Sequence, residues 1–384
     1  MRTKYGFGNP LVSGLILTIV IALTTAVSAQ AQAPAGPTLQ AGKVVSKVIP
    51  PEAQKAALAF WTRDAMAAAP PLALPVQRGP AAIDDAALRQ HAVTGPPAAV
   101  AAGAAAQGAD RLAQTAYPRD WAALDAPSDH AAEATAIEPL GTSQVFTSYT
   151  VNQATALHKI YPHRWVGRVS FTTPTGTSNC SATSISNNVM LTAAHCLYDS
   201  TNNRWYSNWV FSPAYRNGAT PYGSFPATNC WVLTAWVNLS GSYAINSWAQ
   251  HDVGVCNMGT NSTGTTLNNA VGWMGRQWNW PYVRHVHDLG YPFRDSNDAF
   301  LPSAGQYLRA CVAESFQQTT ETRGMGCNYG RGISGGPWIV GYAPTVVTGA
   351  VDGVNSGLFI GTQNLYAARF NDNNIVPLCN SAGC

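Results

Sequence analysis

The first 179 residues of this 384-residue chain contain no cysteine, and all eight cysteines lie at or beyond Cys180. That absence separates a leader without disulfides from a disulfide-bonded globular part, which implies an oxidising compartment. Charge is also scarce. Only 11% of residues are charged and the net charge is +3, which argues against nucleic-acid binding as the main task and leaves solubility to Asn, Ser, Thr and Gly. Lysine ends at Lys159, and no internal repeat is present.

Bulky apolar residues are sparse from Gln30 to about Gly141, where alanine and proline dominate, as in Ala67-Ala68-Ala69-Pro70-Pro71. Such a stretch has little apolar surface to bury, so residues 30–145 read as an Ala/Pro-rich pro-segment or a disordered leader. Two short helices are expected in it. One opens at Pro50-Pro51 and runs over Ala53 to Ala69, with Phe60 and Trp61 available for docking; the other covers Asp84 to His91. Ahead of the leader, Arg2 and Lys4 precede an apolar run from Leu11 to Val27 and small-residue cleavage sites at Val27-Ser28-Ala29 and Ala29-Gln30-Ala31. Residues 1–29 therefore read as a secretory signal peptide. A membrane anchor is the weaker reading, because the run is near the lower length limit for a spanning helix.

What is plentiful comes later. The chain has 12 tryptophans and 15 tyrosines, which suit a large β core. Beyond Val145, short β-rich runs alternate with Asn/Gly/Ser/Pro clusters, as in Trp165 to Thr173, Ser181 to Ile185, Val189 to Ala193 and Trp205 to Phe211. A second set follows, including Val283 to Leu289, Gln306 to Ala313 and Pro337 to Val340. This spacing predicts an all-β barrel or sandwich.

Chemistry concentrates in Gly330-Arg331-Gly332-Ile333-Ser334-Gly335-Gly336-Pro337. Glycines let the chain turn tightly and bring a substrate close to bare main-chain N–H groups. A nucleophilic serine needs such a turn, a base and an orienting acid. Thr192-Ala193-Ala194-His195-Cys196 offers the base and His251-Asp252-Val253-Gly254 the acid. Asp199 is a rival acid, and His251 reads as a bystander.

These motifs, with Cys180-Ser181-Ala182-Thr183 and Gly290-Tyr291-Pro292, resemble those of secreted bacterial trypsin-like serine proteases, including the glutamyl-endopeptidase branch. The resemblance spans roughly Ile160 to Phe370. It implies an all-β fold of two antiparallel six-stranded β-barrels with the active site in the cleft between them. The protease domain would cover 146–384, with the first barrel at about 160–265 and the second at about 266–370. It also implies a catalytic triad of His195, Asp252 and Ser334, with the main-chain N–H groups of Gly332 and Ser334 as the oxyanion hole. The expected activity is secreted, serine-type endopeptidase hydrolysis through an acyl-enzyme. The alternatives are a non-catalytic protease fold used for binding or adhesion, and a serine esterase with the same triad.

By resemblance, Cys180 pairs with Cys196 beside the histidine, and Cys311 with Cys327 in the second barrel. Cys230–Cys256 and Cys379–Cys384 follow by remainder. Two departures stand out. Ile333 occupies the place of the aspartate that pairs with a new N-terminus in trypsin-like zymogens, so a site already formed once the leader is gone is expected. The pocket base falls on Asn328 rather than an aspartate, and Val351 and Asp352 are candidate pocket-wall residues, with Asp352 able to favour a basic side chain. The strand after the serine loop carries no histidine. His285-x-His287 lacks an evident third metal ligand, so no metal and no cofactor are expected. The expected partner is a protein or peptide substrate, with no nucleic acid, no stable membrane partner after signal cleavage, and a monomeric state.

Overall fold

The computed structural model describes residues 43–72, 99–106, 143–151, 156–239, 248–343 and 349–384, together with the backbone at 38–39 and 77–78. All of these lie in the second of two compact units, Pro37–Cys384. The signal peptide read over 1–29 and the helix expected over Asp84 to His91 lie outside the described residues.

Residues 43–72, inside the stretch read as a pro-segment or disordered leader, form an ordered strap. Val44–Val48 is strand β1. Pro51 opens helix α1 (Pro51–Phe60), a position where the missing amide N–H is not needed. The single helix expected here is broken at Trp61-Thr62. Thr62 starts a second helix, α2 (Arg63–Ala68), by accepting a hydrogen bond on Oγ1 from the Ala65 amide at 3.2 Å. The few bulky side chains of the strap are buried in a core the barrel supplies. Trp61 is 4% exposed and donates from Nε1 to the Asn208 carbonyl at 2.7 Å, and Val45 and Met66 are buried. Composition predicts that the leader cannot build its own core, and it borrows one instead.

The first barrel contains β2 (Val166–Thr173), β3 (Gly176–Ile185), β4 (Val189–Thr192), β5 (Ser207–Pro213), β6 (Phe225–Leu233) and β7 (Gly254–Met258). They pair antiparallel in the order β2-β3-β4-β7-β6-β5, and β5 closes on β2. β5 pairs with β6 only at its start, and β1 covers the remaining edge of β6 from Asn229 to Leu233. The second barrel contains β8 (His285–Gly290), β9 (Arg309–Gln317), β10 (Thr322–Gly326), β11 (Pro337–Val340), β12 (Ala350–Ile360) and β13 (Asn364–Ala368). Its order, β8-β9-β10-β13-β12-β11 closing on β8, repeats the connections of the first. The chain is thus two closed six-stranded antiparallel barrels of one topology.

Trp165, Trp209, Trp236, Trp248 and Trp338 are among the fully buried side chains. The structure joins Cys180–Cys196, Cys230–Cys256, Cys311–Cys327 and Cys379–Cys384. Cys230 and Cys256 sit directly opposite each other on β6 and β7. The last bridge closes the end of helix α3 (Ile375–Ala382), which packs on the same two strands. Among the described residues no helix is long and apolar enough to cross a membrane.

Trp61→Ala in the full chain is expected to cost about 3 kcal/mol or more and to lower the melting temperature of the barrel by several degrees. A thermal melt unchanged by the substitution would mean that the strap is only tethered.

Candidate active site

The serine loop is shaped by two glycines. Gly332 has φ +95° and Gly335 φ +75°. A Cβ at Gly332 would strike the Phe293 ring and the Tyr291 carbonyl, and one at Gly335 would strike Thr192 Oγ1 and the Ser181 carbonyl. Both backbone sign and space therefore require glycine.

The loop is held from both barrels. Ser181 of β3 donates its amide N–H to the Ser334 carbonyl at 2.7 Å and its hydroxyl to the Gly332 carbonyl at 2.9 Å. The same hydroxyl accepts from the Tyr291 amide at 2.9 Å, and Thr192 Oγ1 donates to the Ser181 carbonyl at 2.8 Å. From β12, the Asn355 carbonyl accepts from the Gly335 amide at 2.8 Å, and the Asn355 amide donates to the Gly336 carbonyl at 2.9 Å. Asn355 Nδ2 donates to Asp288 Oδ1 at 2.5 Å, and Asn355 Oδ1 accepts from Trp338 Nε1 at 2.7 Å. Asp288 is fully buried, and burial pushes its carboxyl well above the usual carboxylate range against the smaller opposing effect of the Asn355 bond. Ile333 is buried as well. The loop is thus braced by polar contacts and apolar packing where a trypsin-like zymogen would use an ion pair.

His195 lies in the single turn Ala194–Cys196 that follows β4, tied to β3 by the Cys180–Cys196 disulfide. Asp252 is fully buried, and its carboxylate gathers three donors. Oδ1 accepts from the His195 amide at 2.8 Å; Oδ2 faces His195 Nδ1 at 2.6 Å and accepts from Ser356 Oγ at 2.5 Å. Trp236 and Trp248 flank the imidazole with ring centres 6.5 and 6.4 Å away. His195 and Ser334 are 5% and 2% exposed, and His195 Nε2 and Ser334 Oγ are both buried without a hydrogen-bond partner. The structure therefore joins His195 to Asp252. It brings Ser334 to the same wall through Ser181, the neighbour of Cys180.

Other candidates fall elsewhere. Asp199 binds Asn202 and Arg204. His251 lines a cavity of about 210 Å³ with Lys43 and Glu321, one that includes neither His195 nor Ser334. Asn328 is partly buried; its carbonyl accepts from the Ser296 amide at 2.9 Å, and its Oδ1 is buried without a partner. Val351 and Asp352, the candidate pocket-wall residues, are both buried. Val351 is a core residue, and Asp352 is held by Arg323 through bonds of 2.6 and 3.1 Å with both side chains nearly fully buried. A buried carboxylate must be paired or hydrogen-bonded, and this one is paired with a guanidinium. Asp352 is thus neither free for a substrate nor solvated. Among the described residues, the one three-member group with metal-ligand spacing is Cys180, His195 and Cys196, and its two sulfurs are joined to each other. His287 instead stacks on Tyr342 at 4.0 Å, and burial pushes it down to about 4.

Two polar residues of the site, Asn355 and Ser356, carry no motif in the sequence, while Ser181 stands there only as part of Cys180-Ser181-Ala182-Thr183 and Asp288 only as the neighbour of His285-x-His287. The available signal was polar residues inside apolar strands, such as Asn355-Ser356 between Val354 and Leu358.

Asp288 supplies a pH test. Its folded-state proton affinity exceeds that of the unfolded chain, so its contribution to stability is full at low pH and declines as pH rises from about 4. Asp288→Asn is expected to melt with the wild type near pH 4 and above it at pH 8, the gap widening with pH. Melting curves that stay parallel across that range would contradict this assignment.

The family model described as Trypsin matches residues 155–219, a segment that includes His195 and stops before Asp252. No curated protein matches the chain. Solved structures similar to it include the protease Anisep from Arthrobacter nicotinovorans, at 29% identity and TM-score 0.49, covering 57% of this chain and 95% of that one. A thermostable serine protease, AL20, from an extremophilic microorganism is 26% identical with TM-score 0.48, covering 57% and 97%. A Glu endopeptidase in complex with MPD is 16% identical with TM-score 0.48, covering 62% and 97%. The Trypsin family match thus falls on β2 to β5 of the first barrel, and the described residues form two closed six-stranded antiparallel barrels of one topology.

Proposed function

We propose that this protein is secreted and cleaves peptide bonds through Ser334, His195 and Asp252. The observation that carries the reading is the grip of the buried Asp252 carboxylate on both the ring and the amide of His195. With Nδ1–H held on Asp252, the lone pair of a neutral imidazole is at Nε2. Ser334 Oγ attacks the substrate carbonyl carbon while its proton passes to Nε2. The N–H groups of Gly332 and Ser334 receive the oxyanion. The imidazolium then gives its proton to the leaving amine, which departs with the C-terminal fragment. Water repeats the sequence on the ester and frees Ser334. Ser356 acts through Asp252 as a positioning residue. No cofactor takes part in this sequence.

Asn328 would form the base of the side-chain pocket, with its unpaired buried Oδ1 facing a donor on the substrate. A neutral base does not select strongly for a cation. Residues 1–29 would be the signal peptide and the leader a pro-segment, and the four disulfides suit an oxidising compartment outside the cytoplasm.

The test is turnover of peptide and ester panels by the processed protein. Ser334→Ala should abolish hydrolysis. Asp252→Asn should lower kcat about 10⁴-fold, and Ser356→Ala by about tenfold. Ester turnover without peptide cleavage would make the protein an esterase. Peptide cleavage that survives Ser334→Ala would refute the mechanism.

A further inference from the structure

The segment from Tyr291 to Leu301 is folded back on the chain that leads into the serine loop. The Phe293 and Arg294 amides both donate to the Arg331 carbonyl, at 2.7 and 3.3 Å, and the Gly330 amide donates to the Arg294 carbonyl at 2.7 Å. The Ser296 amide donates to the Asn328 carbonyl at 2.9 Å, and Asp295 pairs with Tyr329 in antiparallel sense. The segment therefore backs the whole run from Asn328, the candidate pocket base, to Arg331, the neighbour of Gly332. Its tip is a tight turn. The Asp295 amide donates to the Ala299 carbonyl at 2.8 Å, and Asp295 Oδ1 accepts from the Asn297 and Ala299 amides at 2.9 and 2.8 Å. That carboxylate is thus engaged by its own turn.

The side chains on this scaffold share one anion. Asp298 Oδ1 pairs with Arg331 Nε at 2.9 Å and with Arg294 Nε at 3.7 Å, and the Asp298 carbonyl accepts from Arg294 Nη1 at 2.6 Å. One carboxylate so serves two guanidinium groups. Arg331 is held by its Nε edge alone. Among the described residues its Nη1 and Nη2 atoms donate to no protein group, and its side chain is 25% exposed. Phe300, at 67% exposure, is covered on one face by the Arg294 guanidinium, whose carbon is 3.8 Å from the ring centre. An arginine with its stem pinned and its outer donors open is set to take a carboxylate.

We infer that Arg331, set in place by Asp298, selects substrates with an acidic side chain beside the scissile bond, at a position other than the residue that enters the pocket. The inference deepens the proposed function and rests on Ser334 being the nucleophile and Gly332 an oxyanion donor. A peptide whose carbonyl oxygen lies on the Gly332 N–H must pass the side chain of the preceding residue, Arg331. The pocket residue itself is directed to Asn328, three residues earlier, whereas Arg331 is paired at a turn whose Asp298 side chain is 32% exposed. Its guanidinium is therefore at the rim, where a flanking side chain passes. Arg294 adds a second cation and Phe300 an apolar platform for the stem of that side chain. A lysine or arginine at the same substrate position would meet like charge. Asp298 is a positioning residue: it occupies the Nε edge and leaves the outer edge of Arg331 for the substrate.

The test uses protein produced from the full chain and peptide pairs that differ only by Glu or Gln, placed in turn at each position flanking the cleaved bond. The readout is the Glu/Gln ratio of kcat/KM. The wild type should favour Glu about fivefold at one position outside the pocket residue, and the preference should fade as salt approaches about 1 M. Arg331→Gln should bring the ratio to about one, mainly through KM. Arg331→Lys should keep part of it, because the charge remains and the fork is lost. Arg331→Glu should invert it, so that Lys outruns Gln at the same position. A cooperative melt checks that each variant is folded, and the salt dependence of the wild type decides the matter if Arg331→Gln is not. Cleavage with a ratio of one at every flanking position, or with a preference confined to the pocket residue, would overturn the inference and leave Ser334 untouched. So would a flanking preference that survives both Arg331→Gln and Arg331→Glu. No cleavage of any peptide and no fluorophosphonate adduct would refute the Ser334 reading and this inference with it.

Discussion

The carboxylate of Asp252 is the constraint around which the site is assembled. It carries no solvent exposure, so it must be paired, and its partners come from both barrels. His195 and Asp252 belong to the first barrel, and Ser356 reaches over from β12 of the second. Replacing any of these donors leaves a buried acceptor unsatisfied, a larger penalty than the bond itself is worth. The imidazole is thus oriented by an interaction that also records whether the barrels are correctly docked.

A second polar junction works in the opposite sense. Ser181 of the first barrel grips the serine loop of the second through the carbonyls of Ser334 and Gly332. Asn355 grips the far side of the same loop and is itself held by Asp288 and Trp338. The loop is therefore fixed from two directions without a charge next to the serine. Ile333 contributes packing rather than an ion pair. The contacts that fix the loop among the described residues are thus made by hydroxyl, amide and main-chain groups of the two barrels.

The candidate residues Ser334, His195 and Asp252 stand out in the sequence because the constraints that mark them are local. A serine bracketed by glycines, a histidine following a short apolar strand and an aspartate preceding one each mark a backbone geometry that few sequences need. Their supports were not legible, because these arise from pairing between distant strands. Asp288 and Asn355 are 67 residues apart, and Ser181 and Gly332 are 151 apart. The pairing of Asp352 with Arg323 was not legible for a related reason. Nearly every position of β12 is buried, so alternation along the strand does not tell which residues face the site and which face the core. The leader misled through composition. Few large side chains meant no core of its own, yet Val45, Trp61 and Met66 complete the core of the first barrel.

The measurement that bears most directly on the account is the site of covalent capture. Processed protein would be treated with a fluorophosphonate, digested, and the modified residue located by tandem mass spectrometry. The account predicts a single adduct, on Ser334 Oγ. An adduct on a different residue, or none on folded protein free of its leader, would contradict it.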